Sequence, residues 1–189
     1  MTPTNRRHLL KLGAGLAASA AASTLVSPAI AGALPSQRRL ALHSLHTNES
    51  LEAVYWRNGR YVPGELSAVN HVLRDYRSGD VHPMDPRLLD LLNDVALRVQ
   101  TRGPFHVISG YRSLKTNAML HARSNGVASK SLHMQGLAID IRLPDVDLAR
   151  LHQTALSLGR GGVGYYPHDN FVHLDVGPVR QWQGSSEKA

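Results

Sequence analysis

Two six-residue stretches, Leu137–Arg142 and Phe171–Val176, alternate at a period of two, and a strand with one apolar face is what satisfies that pattern. Leu137, Ile139 and Ile141 share one face and Ala138, Asp140 and Arg142 the other; Val172, Leu174 and Val176 oppose Phe171, His173 and Asp175. If the strands are neighbours, Asp140 and His173 point at one place on the non-apolar face. His133 lies seven residues before Asp140. Fully extended, that separation would span roughly 23 Å, whereas the ligands of one zinc ion each sit ~2 Å from it. The chain must therefore fold back between them, and Gly136 permits the turn.

Two imidazoles and one carboxylate hold zinc with the fourth position left for water, which a hydrolytic site requires and a closed structural site lacks. The spacing leaves two readings open, because eleven histidines in 189 residues also make His/Asp spacings by chance, and a histidine on a strand is often only a satisfied polar residue.

The other segments sketch an α+β domain. Val54–Trp56 and Arg60–Val62 flank Asn58-Gly59, a hairpin signal. Leu66, Val69, Leu73 and Tyr76 fit one helix. A second opens at Asp85-Pro86 and carries Leu88, Leu89, Leu92, Val95, Ala96 and Val99 toward Gly103. Phe105–Ile108 reads as a buried strand, Ser113 as the cap of a helix running to about Asn125 with Gly126 as its stop, and Asp147 as the start of a helix that Gly161-Gly162 ends. These elements predict a small antiparallel sheet flanked by helices, with the site on its exposed face.

The first 31 residues read as a signal peptide. Arg6-Arg7 and the apolar residues behind them have the form recognised by the twin-arginine export machinery, Leu12–Val26 is a small-residue hydrophobic stretch, and Ala29-Ile30-Ala31 offers a cleavage site. Residues 32–50 read as a linker or arm, 51–184 as the domain and 185–189 as a tail. Nothing after residue 31 is apolar for long enough to cross a bilayer, so no stable membrane span is expected once the signal is cleaved. The formal charge is +7, and Arg6, Arg7 and Lys11 account for three of its cations, leaving +4 for the mature chain. That balance suits an anionic wall polymer or a membrane surface, and no interleaving of basic and aromatic residues suggests nucleic acid. The chain has no cysteine, which excludes a thiol nucleophile, a cysteine zinc site and stabilisation by disulfides.

Ser109-Gly110-Tyr111-Arg112-Ser113, the run Ser131-x-His133-x-x-Gly136-x-Ala138-x-Asp140 and the late His173 resemble the motifs of the M15-type zinc DD-peptidases. These share the hedgehog/DD-peptidase (LAS-type) fold. Gly161–Pro167 with Phe171–Pro178 and Trp182 is similar to the C-terminal signature of the YcbK-like branch, and the resemblance covers about residues 45 to 182. It implies a periplasmic murein endopeptidase acting on peptidoglycan stem peptides and cross-links, with one zinc ion per chain on His133, Asp140 and His173. It also implies that Arg112 holds the scissile carbonyl as it becomes an oxyanion. Ser131 is placed either to orient substrate or a ligand or to stabilise its turn, and Tyr166 either to wall the stem peptide or to pack beside the sheet. M15 carboxypeptidases carry a glutamate base three residues before the last zinc histidine; here Asn170 stands there, and the nearest carboxylates are Asp169 and Asp175. Asp175 shares the strand face of His173 and is the expected base, a residue equally placed to orient a ligand, whereas Asp169 fits the loop after Pro167, beside His168, a weaker groove candidate. The same scaffold also serves DD-carboxypeptidases or dipeptidases and non-catalytic wall-binding modules.

Replacing Arg6 and Arg7 together by Lys is expected to strand unprocessed precursor in the cytoplasm, as read by immunoblot of fractionated cells. Normal processing of that variant would mark an ordinary secretory signal.

Overall fold

A computed structural model describes residues 36–123 and 126–184. The proposed signal, the 185–189 tail and the predicted end of the third helix at residues 124 and 125 lie outside the described residues. Eight strands form one sheet: β1 (Gln37–Ser44), β2 (Ser50–Arg57), β3 (Arg60–Tyr61), β4 (Phe105–Ser109), β5 (Ala138–Arg142), β6 (Gly162–Tyr166), β7 (Phe171–Asp175) and β8 (Arg180–Gln183). Their spatial order is β3-β2-β1-β4-β5-β7-β6-β8. Four helices accompany them: α1 (Pro63–Val72), α2 (Pro86–Val99), α3 (Leu114–Arg123) and α4 (Leu148–Ser157). The domain is mixed α+β, and the sheet is larger than expected and not wholly antiparallel, because β1 runs parallel to β4 and β6 parallel to β8.

The difference arises at both ends of the chain. The stretch expected to be a linker contains β1, whose Leu40, Leu42 and Ser44 are buried while Gln37 and Arg39 stay exposed. Pairing it in parallel with β4 requires a long crossover, and β2, β3, α1 and α2 supply it. Gly162 begins β6 rather than ending a helix; α4 has already stopped at Ser157.

Where local chemistry is strong, structure follows it. Asn58 and Gly59 both take positive φ, 49° and 82°, as a type I′ turn demands, and the hairpin forms across them. The Asp85 carboxylate accepts the Arg87 backbone N–H at 2.8 Å and Pro86 occupies the first turn of α2. That helix ends on Gln100 at φ 56°, three residues before Gly103. α1 stops at Val72, leaving Leu73 as its cap and Tyr76 outside.

α2 buries Leu88, Leu89, Leu91, Leu92 and Val95 completely. At about 1.5–3 kcal/mol for each large side chain, this helix is a principal anchor of the core. It packs on β1 and α4, and α4 packs on β6 and β7. Ile139 and Ile141 of β5 and Val172 and Leu174 of β7 complete the same core, so Asp140 and His173 emerge on the opposite face. No helix among the described residues is long and apolar enough to cross a membrane.

Between α3 and β5 a 3-10 turn, Leu132–Gln135, carries His133. Gly136 closes it at φ 68°, and a Cβ there would lie 2.2 Å from the Pro83 carbonyl oxygen. Gly136→Ala is expected to combine left-handed strain with that collision and cost at least about 2 kcal/mol, measured as a lowered midpoint in urea unfolding at unchanged slope.

Candidate metal centre

Asp140 and His173 are cross-strand partners in the β5–β7 ladder. The 3-10 turn brings His133 over them, and all three are buried. His133 Nε2, His173 Nδ1 and Asp140 Oδ1 form a triangle with sides of 3.2, 2.8 and 3.3 Å. Ligands ~2.0–2.1 Å from a tetrahedral zinc ion are separated by about 3.3 Å, so the triangle has the dimensions of one tetrahedral face.

The tautomers follow from what lies behind each ring. His133 Nδ1 sits 2.7 Å from the Gly110 carbonyl, an acceptor only, so that nitrogen carries the proton and Nε2 presents a lone pair. His173 Nε2 sits 3.1 Å from Asp175 Oδ2, which leaves the Nδ1 lone pair facing the cluster. With His133 Nδ1 and His173 Nε2 satisfied from behind, one nitrogen of each ring and one Asp140 oxygen converge as a group that could hold a metal ion. These three residues are the group of metal-capable side chains found among the described residues.

The electrostatics of the protein alone keep two of the three donors, Asp140 and His133, free of protons. Burial would raise the Asp140 carboxyl, but His133 and His173 outweigh it and hold it well below the usual range. Burial pushes His133 down and keeps it neutral. Burial also disfavours the His173 cation, yet the Asp140 and Asp175 carboxylates raise its pKa on balance.

Arg112 stands at the edge of the triangle, its Nη2 3.5 Å from Asp140 Oδ2, the oxygen turned away from the histidines. Nη1 and Nη2 reach Asn117 Oδ1 and Ser109 Oγ, both at 3.4 Å. Its Nε is buried with no hydrogen-bond partner among the described residues. The loop bearing Arg112 is tied down on both sides: Tyr111 N–H donates to Leu73 O at 2.7 Å and Arg112 N–H to His133 O at 3.2 Å. Asp75, only 2% exposed, accepts the Ser113 N–H at 2.9 Å and hydroxyl at 2.6 Å, and the Arg77 N–H at 2.9 Å. Sequence reasoning passed over Asp75 because its partner is 38 residues away and no local pattern marks the pair.

The other expected site residues take distinct positions. Asp175 is 0% exposed and both its oxygens are engaged. Oδ1 accepts from the N–H groups of Gly162 and Gly177 and from Arg180, and Oδ2 from His173 and Arg180. It lies behind His173, away from the triangle. Ser131 caps the 3-10 turn, accepting the His133 N–H at 3.4 Å. Tyr166 stacks on Phe171 at 4.4 Å and its hydroxyl accepts from Trp182 Nε1 at 2.9 Å. His168 and Asp169 are on the β6–β7 turn.

The M15 peptidase family model described as peptidoglycan L,D-endopeptidase MepK matches residues 33–182. The chain is 46% identical over 179 residues to the peptidoglycan L,D-endopeptidase MepK of Escherichia coli strain K12, an alignment covering 94% of this chain and 97% of that protein. The same figures hold for the protein of that name in Shigella flexneri. A probable peptidoglycan L,D-endopeptidase MepK of Haemophilus influenzae is 40% identical over 151 residues, with 79% of this chain and 81% of that protein covered.

Asp75 is expected to be a stabilising anchor for the Arg112 loop. Burial would raise its carboxyl, but the Ser113 and Thr116 side chains and the backbone N–H groups of Ser113 and Arg77 depress it on balance. Its contribution is therefore fully present above the unfolded-state pKa of about 3.9 and fades as pH falls through the lower folded-state value. Asp75→Asn should lower stability at neutral pH by about 1–3 kcal/mol, and the gap from wild type should narrow in acid, as followed by urea unfolding across that pH range.

Proposed function

We propose that this chain, which belongs to the M15 peptidase family described as peptidoglycan L,D-endopeptidase MepK, is a zinc-dependent murein endopeptidase of the periplasm that hydrolyses peptide cross-links. One observation carries the metal reading: His133 Nε2, His173 Nδ1 and Asp140 Oδ1 converge as lone-pair donors while Gly110 and Asp175 take the ring protons. The relatives' names support L,D cross-links as the bond class. The eight-stranded sheet with helices packed against it is compatible with the hedgehog/DD-peptidase architecture, and residues 1–31 fit export by the twin-arginine route.

A zinc ion held by the three residues supplies Lewis acidity toward a carbonyl and lowers the pKa of a water. The chain's own residues arrange the reactants. Arg112, braced by Asp140 Oδ2 and by its own backbone bond to His133, aims a permanent cation at the place where the scissile carbonyl oxygen gains charge. Tyr166, with its hydroxyl held by Trp182, forms part of the wall for the stem peptide, and Ser131 serves by fixing the turn under His133.

Asp175 is reassigned. Sequence position favoured it as the proton acceptor, but its complete burial and the donors on both oxygens support the other role weighed for it, orienting His173. The water's proton then passes to another group, and the turn carrying His168 and Asp169 is where to look for it.

His133→Ala, Asp140→Ala and His173→Ala are each expected to abolish stoichiometric zinc binding and cleavage of a defined cross-linked muropeptide. Chelator treatment of wild type should do the same reversibly. Asp175→Asn should weaken metal binding about 10- to 100-fold, with turnover largely restored by excess zinc. A fall of about 10²- to 10⁴-fold at saturating zinc would instead return the general-base role to Asp175.

A further inference from the structure

Strand β6 carries glycine at two successive positions of the face that bears the metal centre, Gly162 and Gly164. The edge strand β8 pairs with it in parallel, Gly162 with Arg180 and Gly164 with Trp182. Strand β7 lies on the other side of β6, with Gly164 opposite His173. Any side chain at the two glycine positions would separate β8 from β7, which lie two strand spacings, about 9.5 Å, apart. Without them, β8 side chains reach across the bare backbone.

The contacts show how closely the space is used. Arg180 donates through Nη2 to Asp175 Oδ2 at 2.6 Å and through Nη1 to Asp175 Oδ1 at 3.1 Å, a two-pronged pair. Its guanidinium carbon is 5.1 Å from the centre of the Trp182 ring, and that ring is 5.1 Å from the His173 ring. A Cβ on Gly162 would lie 2.4 Å from Asp175 Oδ2 and 2.5 Å from Arg180 Nη1; one on Gly164 would lie 2.6 Å from Trp182.

We infer that Arg180 and Trp182 are positioning residues for the metal centre, acting across a glycine-stripped strand: Arg180 locks the Asp175 carboxylate that holds the His173 Nε2–H, and Trp182 fixes the plane of the His173 ring. The inference rests on the zinc reading above. Arg180 supplies the countercharge for a carboxylate that is otherwise fully buried. It also fixes the carboxylate's rotation, because both oxygens are engaged at once. The His173 ring is thereby held with Nδ1 toward Asp140 before any metal arrives. The paired glycines of the Gly161–Tyr166 run are thus explained by what must pass over them.

The test compares wild type, Arg180→Ala, Arg180→Lys, Trp182→Phe, Gly162→Ala and His133→Ala. Zinc affinity is measured by competition with a chromophoric chelator, the His173 tautomer by long-range ¹H–¹⁵N NMR of the metal-free protein, and folding by thermal melts. Arg180→Ala and Gly162→Ala should each bind zinc about 10- to 100-fold more weakly, and His173 should no longer hold the Nε2–H tautomer alone. Arg180→Lys, which keeps the charge without the fork, should fall between wild type and Arg180→Ala, and it carries the test if Arg180→Ala does not fold. Gly162→Ala removes no functional group, so its loss of affinity would come from displacement of the clamp. Zinc binding within about twofold of wild type and an unchanged tautomer in Arg180→Lys and Gly162→Ala overturn the clamp. If His133→Ala also binds zinc like wild type, the metal reading itself has failed; if it loses zinc while the clamp variants keep it, only the clamp is wrong.

Discussion

Three electron-pair donors cannot be packed together in a protein interior without a reason, and much of this structure is arranged to make them converge. Asp140 and the two histidines come from a sheet pair and a 3-10 turn, so sheet register, turn geometry and ring tautomer must all agree. Register is the cheapest of these constraints. The apolar faces of β5 and β7 lie in the core, and a one-residue slip would drive Ile139 and Ile141 of β5, or Val172 and Leu174 of β7, out of it together. The burial that stabilises the fold therefore also places Asp140 opposite His173.

Tautomer control needs polar partners in places the core does not provide. The Gly110 carbonyl serves His133, which links the Arg112 loop to the ligand set through one hydrogen bond, and the Arg112 N–H returns a second to His133 O. The cation near the site and one of the ligands are thus braced on each other. Asp75 anchors the far end of that loop through Ser113. On the opposite side, Asp175 serves His173 and is itself neutralised by Arg180.

How much of this was legible in the sequence depended on the range of the interaction that decides each feature. The Asn58-Gly59 hairpin, the Asp85-Pro86 start of α2 and the fold-back at Gly136 are set by one or two residues, and they appear where their residues predict. The Asp140–His173 pairing followed from alternation because each strand has a single apolar face. β1 was hidden because its leading residues, Gln37, Arg38 and Arg39, look like solvent-exposed linker, and only the parallel partner β4 gives Leu40 and Leu42 a place to go. β6 was hidden because glycine is a poor strand former; its glycines serve neighbours on both sides. Asp75 and Arg180 carried no signal, since their partners lie in other elements.

Asp175 shows why placing a residue on the correct strand face does not determine its role. Alternation put it beside His173 on the site face, and both functions considered for it require that much. Base and orienting partner differ in what the remaining lone pairs do: a base must leave one open toward water, and an orienting carboxylate can be saturated. Here the backbone N–H groups of Gly162 and Gly177 and the two prongs of Arg180 occupy the oxygens from behind. Burial would raise the Asp175 carboxyl, but His173 and these donors outweigh it and depress its affinity for a proton, whereas a general base near neutral pH works best with a pKa near the working pH. The same surroundings suit a carboxylate whose task is to stay charged and still while holding one imidazole proton, so the chemistry at the site depends on groups that never face the substrate.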